Sequence, residues 1–192
     1  MVELDKEFPK KWPFGVILTA QWISCFILLV VLYCSPYHYT GTSFVFFCAW
    51  TMFFVGLLVW IAHILGFQRQ IIYVGLMSAY IPFALLLFCY SLIFFFFFSL
   101  SSLICMICML SSIGFVASLF FTYFLATVLC LLCAAICGYL AILLYRATPN
   151  GLLLNLRMVI IEGDKTSTIG TTAAASNNTP SSGVYPHGTN PV

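Results

Sequence analysis

Charge is what this sequence has least of. Of 192 residues, seven are Lys or Arg and five Asp or Glu, 6% in all, where a soluble domain carries about a quarter. So few charges cannot solvate a chain that is 63% hydrophobic, and a water-soluble core is excluded. Residues 71–145 contain no Asp, Glu, Lys or Arg at all. That gap removes the usual markers of a coupled transporter or proton relay, which hold ionisable side chains at depth. Only Gln21, Ser24, Thr51 and a few hydroxyls supply polarity there. Also missing is a small-residue cleavage site after the first apolar run, 14–34. That run is itself longer than the apolar core of a secretory signal, which spans roughly 7–15 residues. It is expected to be retained as a first membrane span, behind a basic segment carrying Lys6, Lys10 and Lys11.

What is abundant is apolar length and aromatic surface. Phe, Trp and Tyr make up 18% of the chain, which suits lipid-facing and interfacial positions. A helix rises about 1.5 Å per residue and the hydrocarbon layer is about 30 Å thick, so roughly 20 apolar residues make one crossing. Runs 14–34 and 43–66 each qualify. Between them Ser35-Pro-Tyr-His-Tyr-Thr-Gly-Thr42 reads as a turn, and Phe67-Gln-Arg-Gln70 is an equally short break after the second. The uncharged stretch that follows holds two spans or three, and hydropathy alone does not decide which. Lys and Arg are retained on the cytoplasmic side. With two spans, all seven basic residues (Lys6, Lys10, Lys11, Arg69, Arg146, Arg157, Lys165) fall on one side; with three they split four against three. The sequence therefore predicts an all-α, four-helix transmembrane bundle with both termini cytoplasmic. The spans are placed at about 14–34, 43–66, 71–95 and 118–145, forming a domain over 14–146 after a cytoplasmic segment 1–13.

The uncharged connector 99–117 is too apolar for an ordinary solvated loop, so it continues the helices or rests in the interface. Trp12, Tyr73 and Tyr145 fall near the inner boundary, and Tyr33, Tyr37 and Tyr39 near the outer one. Beyond Arg146, an apolar segment 147–161 is too short to span and is expected to lie along the inner surface or form a short strand. Residues 162–192, rich in Thr, Ser, Ala, Asn, Gly and Pro, are expected to be a disordered cytoplasmic tail.

Helices in lipid associate through small residues that let backbones approach. Gly75, Ser78, Ala79 and Pro82 make one such strip on the third span, with Pro82 expected to kink it. Ala134, Cys137, Gly138 and Ala141 make another on the fourth, and the two strips are expected to face each other. Arg69, Arg146 and the N-terminal lysines would lie against anionic inner-leaflet lipids. Nine cysteines include two C-x-x-C spacings, Cys105–Cys108 and Cys130–Cys133. The first pair is the basis of an alternative reading as a membrane thiol-disulfide oxidoreductase. Against it, neither pair has a nearby Lys, Arg or His to lower a thiol pKa, and cysteine midway along a span behaves as a small apolar packer. No further thiolates or imidazoles converge to complete a zinc site, and no cofactor is expected. His63 and His38 read as polar tips near the interfaces. Asn177-Asn-Thr179 matches the glycosylation triplet but falls in the cytoplasmic tail. The C-terminal Asn190-Pro191-Val192 is a poor match to PDZ ligands.

A basic inner segment, four close-set spans, the tight inner turn Ile64-Leu-Gly-Phe-Gln-Arg-Gln-Ile71 and a polar tail together resemble the MARVEL-domain tetraspan proteins, including the chemokine-like-factor and synaptophysin-like groups. The resemblance covers residues 10–146. Two departures are the lack of an acidic or strongly polar residue in a membrane helix and the longer, more apolar third connector. The resemblance implies a non-enzymatic role in membrane apposition, vesicle trafficking or cell junctions, at the plasma membrane or on endomembrane vesicles. Claudins and tetraspanins fit less well, because their outer loops are much longer than 35–42. The partners this implies are the bilayer, other membrane proteins, further copies of the chain and cytoplasmic proteins bound by the tail, with no role for nucleic acid. An oligomeric pore is the remaining alternative.

Overall fold

The structure, a computed structural model, describes residues 7–67, 72–74, 77–79, 82–114, 117–148, 152–161, 163–164 and 166–168. Four helices dominate it: α1 (Phe14–Tyr33), α2 (Thr42–Ile64), α3 (Phe83–Ser111) and α4 (Ala117–Arg146). All four are long and apolar enough to cross a membrane. Backbone groups in hydrocarbon find no water, so a continuous helix is the solution open to such runs. Several side-chain hydroxyls follow the same constraint, bonding back onto their own helix. Thr19 donates to the Gly15 carbonyl at 2.7 Å and Ser24 to the Ala20 carbonyl at 2.7 Å. Ser99 donates to the Phe95 carbonyl at 2.7 Å and Thr127 to the Tyr123 carbonyl at 2.7 Å.

Successive helices are neighbours, and α4 closes the ring against α1. The most extensive interface joins α3 and α4. It is close because Gly138 leaves room for a ring: a Cβ there would stand 3.1 Å from Cδ2 of Phe95. The middle of the bundle is filled by Leu28, Leu32, Val45, Met52, Phe94 and Phe98 among others, with Cys25, Cys48, Cys105, Cys130, Cys133 and Cys137 between them.

Three boundaries differ from those expected of the sequence. The third helix runs from Phe83 to Ser111, not over 71–95. Ahead of it, β1 (Ile72–Val74) and β2 (Met77–Ala79) pair antiparallel, with Tyr73 opposite Ser78. Uniform hydropathy across 71–111 hid this break, although Ile72, Tyr73 and Val74 are strand-favouring residues. Pro82 consequently stands at the N-cap of α3, where a missing N–H costs nothing, and does not kink a span. Most of the connector 99–117 is helix, one of the two forms expected for it, so that α3 ends at Ser111 and not at 95, and the actual turn begins at Ser112. Finally, the tail assigned to disorder from residue 162 contributes β4 (Thr166–Thr168), paired antiparallel with β3 (Val159–Ile161). The juxtamembrane segment supplies β3 after a 3-10 stretch, Leu153–Met158, so of the two forms expected for it the strand is present. Residues 169–192 lie outside the described residues.

Candidate functional site

Two regions gather the polar and reactive side chains, and neither has the composition of the strips read from the sequence. In the first, sulfur atoms from all four helices meet inside the bundle. Cys25 Sγ on α1 lies 3.8 Å from Cys133 Sγ on α4, and Cys133 Sγ lies 3.6 Å from Ser24 Oγ. One turn further along α4, Gln21 Nε2 donates to Cys137 Sγ at 3.7 Å and to Met52 Sδ on α2 at 3.6 Å. Cys105 of α3 interacts with Cys130 of α4 across the most extensive helix interface. These residues reach the centre because cysteine and methionine are small or adaptable enough to fill irregular gaps between helices.

Within each C-x-x-C spacing the two cysteines have different neighbours. Cys105 and Cys130 belong to the central cluster and turn to each other, whereas Cys108 sits in a separate cluster with Leu119 and Tyr123. Cys133 turns to Cys25. All nine cysteines are free, and only Cys34 and Cys89 are exposed. Thiol nucleophilicity requires a thiolate, favoured by an adjacent cation or base. The groups within hydrogen-bonding reach of Cys25, Cys133 and Cys137 are Ser24, Gln21 and another thiol. Among the described residues, no three His, Cys, Asp or Glu side chains converge as metal ligands.

The second region closes the end of the bundle where α1 and α3 begin and α2 and α4 finish. A 3-10 turn, Phe8–Lys10, folds beneath α1, and Phe8 is fully buried. Its ring lies tilted at 5.2 Å from the imidazole of His63, which packs at 6.1 Å against Phe83. His63 bonds the Val59 carbonyl through Nδ1 at 2.7 Å, which places the proton on Nδ1 and leaves Nε2 buried and unpartnered. From the other end of the chain, Leu156, Val159 and Ile161 pack into the same cluster as Phe8, Phe14, Leu18, Ala84 and Leu144. The carbonyl of Gly163 accepts from the Phe14 N–H at 2.9 Å and the Gly15 N–H at 3.4 Å, satisfying two of the free donors at the start of α1. Only glycine serves at 163: its φ is +93°, and a Cβ would stand 3.0 Å from Lys11 Cβ, a conformation and a space that suit a residue without a side chain. The first and last described segments thus form one plug on one face of the bundle.

The basic residues share that face. Lys10 and Lys11 lie on the plug's N-terminal limb, Arg146 closes α4 and Arg157 lies in the 3-10 stretch. Lys6 and Arg69 lie outside the described residues. The described residues of the small-residue strip assigned to the third span lie outside α3. Ser78 and Ala79 belong to β2, Pro82 precedes α3, and Gly75 is outside the described residues. On α4, Ala134 and Cys137 point into the central cluster, Ala141 is buried, and Gly138 receives Phe95 of α3.

A latch at the opposite end gave little sign of itself in the sequence. Tyr123 of α4, fully buried, donates to the Tyr37 carbonyl at 2.9 Å and accepts from the Tyr39 N–H at 3.4 Å. Tyr39 in turn hydrogen-bonds Ser112 at 3.2 Å. These contacts tie the α1–α2 loop to the α3–α4 hairpin. The only available signal was a pair of tyrosines in a short loop, which the aromatic belt had already explained.

Comparison with protein-family models, with curated proteins and with solved structures finds no match to the chain. The four apolar helices make this a multi-pass membrane bundle, and its first and last described segments meet on one face.

Proposed function

We propose that this chain is a non-catalytic membrane organiser of the MARVEL-like tetraspan kind, acting in vesicle trafficking, membrane apposition or cell junctions, with both termini in the cytoplasm. The observation that carries this is the contrast between the bundle's interior and its surface. The centre is filled by apolar and sulfur side chains from four helices. Outward, Phe47, Trp50, Phe54, Leu58, Phe96 and Phe121 stand exposed. The four helices hold no Asp, Glu or Lys, and Arg only at the end of α4. Lateral association with lipids and other membrane proteins is the activity such a surface supports.

Proximity labelling from the C-terminal tail in native cells tests it. Neighbours drawn from trafficking or junctional membranes are expected, and an unchanged neighbour set in Cys105→Ser, Cys108→Ser protein. A co-purifying quinone, or a mixed disulfide trapped with a substrate protein, would sink the proposal in favour of thiol exchange. Ion conductance by the purified protein in planar bilayers would do so in favour of a pore.

A further inference from the structure

Beyond α4 the chain carries an apolar surface that none of the four spans explains. Leu152, Leu153 and Leu154 are 62%, 43% and 68% exposed, although they lie outside the membrane helices. A few residues on, Leu156, Val159 and Ile161 are buried in the plug. The segment therefore changes character along its length: its first three leucines are exposed, and the residues that follow are clamped to the ends of the helices. Leu152 follows so soon after Arg146 that the chain between them reaches at most about 20 Å, so the leucines stay close to the level at which α4 leaves the membrane. Arg146 and Arg157, one on each side of them in sequence, are both exposed, and Trp12 on the plug's N-terminal limb is 61% exposed. Exposed leucines, an interfacial Trp and flanking arginines are what a segment lying in the headgroup boundary of an anionic leaflet displays.

We infer that Leu152, Leu153 and Leu154 form an interfacial anchor inserted in the leaflet at the plugged end, with Arg146 and Arg157 meeting anionic lipid headgroups. The occupant of this surface is lipid. A protein partner would need no placement at bilayer level, whereas Leu156, two residues beyond Leu154, is held among Phe14 and Leu144 at the ends of the membrane helices. Because Gly163 caps α1 from the hairpin that follows the anchor, the leaflet also holds the plug against the bundle. The inference does not depend on what the bundle organises.

Spin-label accessibility in the full chain tests it. Cys34 and Cys89 are the two exposed thiols, so a Cys34→Ser, Cys89→Ser background leaves a single reactive site when Leu153→Cys is added. Leu131→Cys on the outward face of α4 supplies a lipid reference, and Asp164→Cys, at an exposed position, supplies a water reference. In vesicles containing phosphatidylserine, the label at 153 is expected to lose collisions with an aqueous nickel chelate relative to the label at 164. Its collisions with oxygen should fall below those of the label at 131, midway along α4, because oxygen concentrates toward the hydrocarbon centre, yet stay well above those of a label shielded by protein. Adding Arg146→Gln and Arg157→Gln should raise nickel access in these vesicles to the level seen in phosphatidylcholine alone. Nickel access equal to that at 164 would overturn the anchor as a water-facing surface. Low access to both reagents would overturn it in favour of a protein contact, such as a second copy of the chain. No effect of the arginine substitutions would overturn the headgroup contact.

Discussion

Tyr123 shows how much one buried hydroxyl organises at the end opposite the plug. It is the shared partner of the Tyr37 carbonyl and the Tyr39 N–H, so Tyr123→Phe removes the hydroxyl that the Tyr39 N–H donates to and leaves the Tyr37 carbonyl with Ser35 Oγ at 2.8 Å. The expected loss is about 1 kcal/mol, since interhelical hydrogen bonds in membrane proteins are individually modest. Thermal unfolding in detergent should show it as a lowered midpoint. Gly138 makes the opposite case, where the absence of a side chain creates the contact. A larger residue must displace Phe95 from the α3–α4 interface. Gly138→Leu should therefore cost about 1–3 kcal/mol by overpacking. The same assay reads it, and an unchanged midpoint would mean that Phe95 has room to move. That Gly138 would lie at a helix contact was legible from the small-residue spacing on α4. Its partner was not, because a 3.6-residue pattern marks a face without naming what packs on it.

Among elements, α3 carries the largest difference between expectation and structure. It has 29 residues. At the helical rise that makes it about 43 Å long, well beyond a hydrocarbon layer of about 30 Å. Hydropathy over 71–111 is too even to show where the helix begins. Local cues existed in the β-branched and aromatic Ile72-Tyr-Val74 and in Pro82, but apolar length outweighed them. Ser99, Ser101 and Ser102 likewise suggested a connector, and Ser99 and Ser102 sit within the helix because their hydroxyls are satisfied on carbonyls of α3. The plug is the second element that mattered. Removing residues 149–192 would strip Leu156, Val159 and Ile161 from the cluster around Phe8 and uncap the Phe14 and Gly15 N–H groups. Trypsin should then cleave faster at Lys10 and Lys11 than in the full chain. Equal cleavage rates would show that the N-terminal limb holds without the hairpin.

For the whole molecule, the testable property is sidedness. The described basic residues and both described chain ends lie at the plugged face, and the exposed thiol Cys34 follows α1 at the other. With the plug in the cytoplasm, a membrane-impermeant maleimide should label Cys34 on intact cells, and an epitope at Thr189 should become reachable only after permeabilisation. The reverse pattern would invert the topology, and access to both from outside would break the four-span count.

The number of membrane-length helices followed from the sequence by itself, because apolar run length is a property of the chain that needs no partner to be read. The same holds for the membrane as solvent. Only the tertiary structure decided which thiols meet, since Cys25 and Cys133 are 108 residues apart and on different helices. It also decided that the first and last described segments close one face together, and that residues after 162 take part through β4 and the Gly163 cap. Those features depend on contacts between distant segments, where burial and backbone hydrogen bonding outweigh local composition, and composition is all that a polar, glycine-containing tail displays.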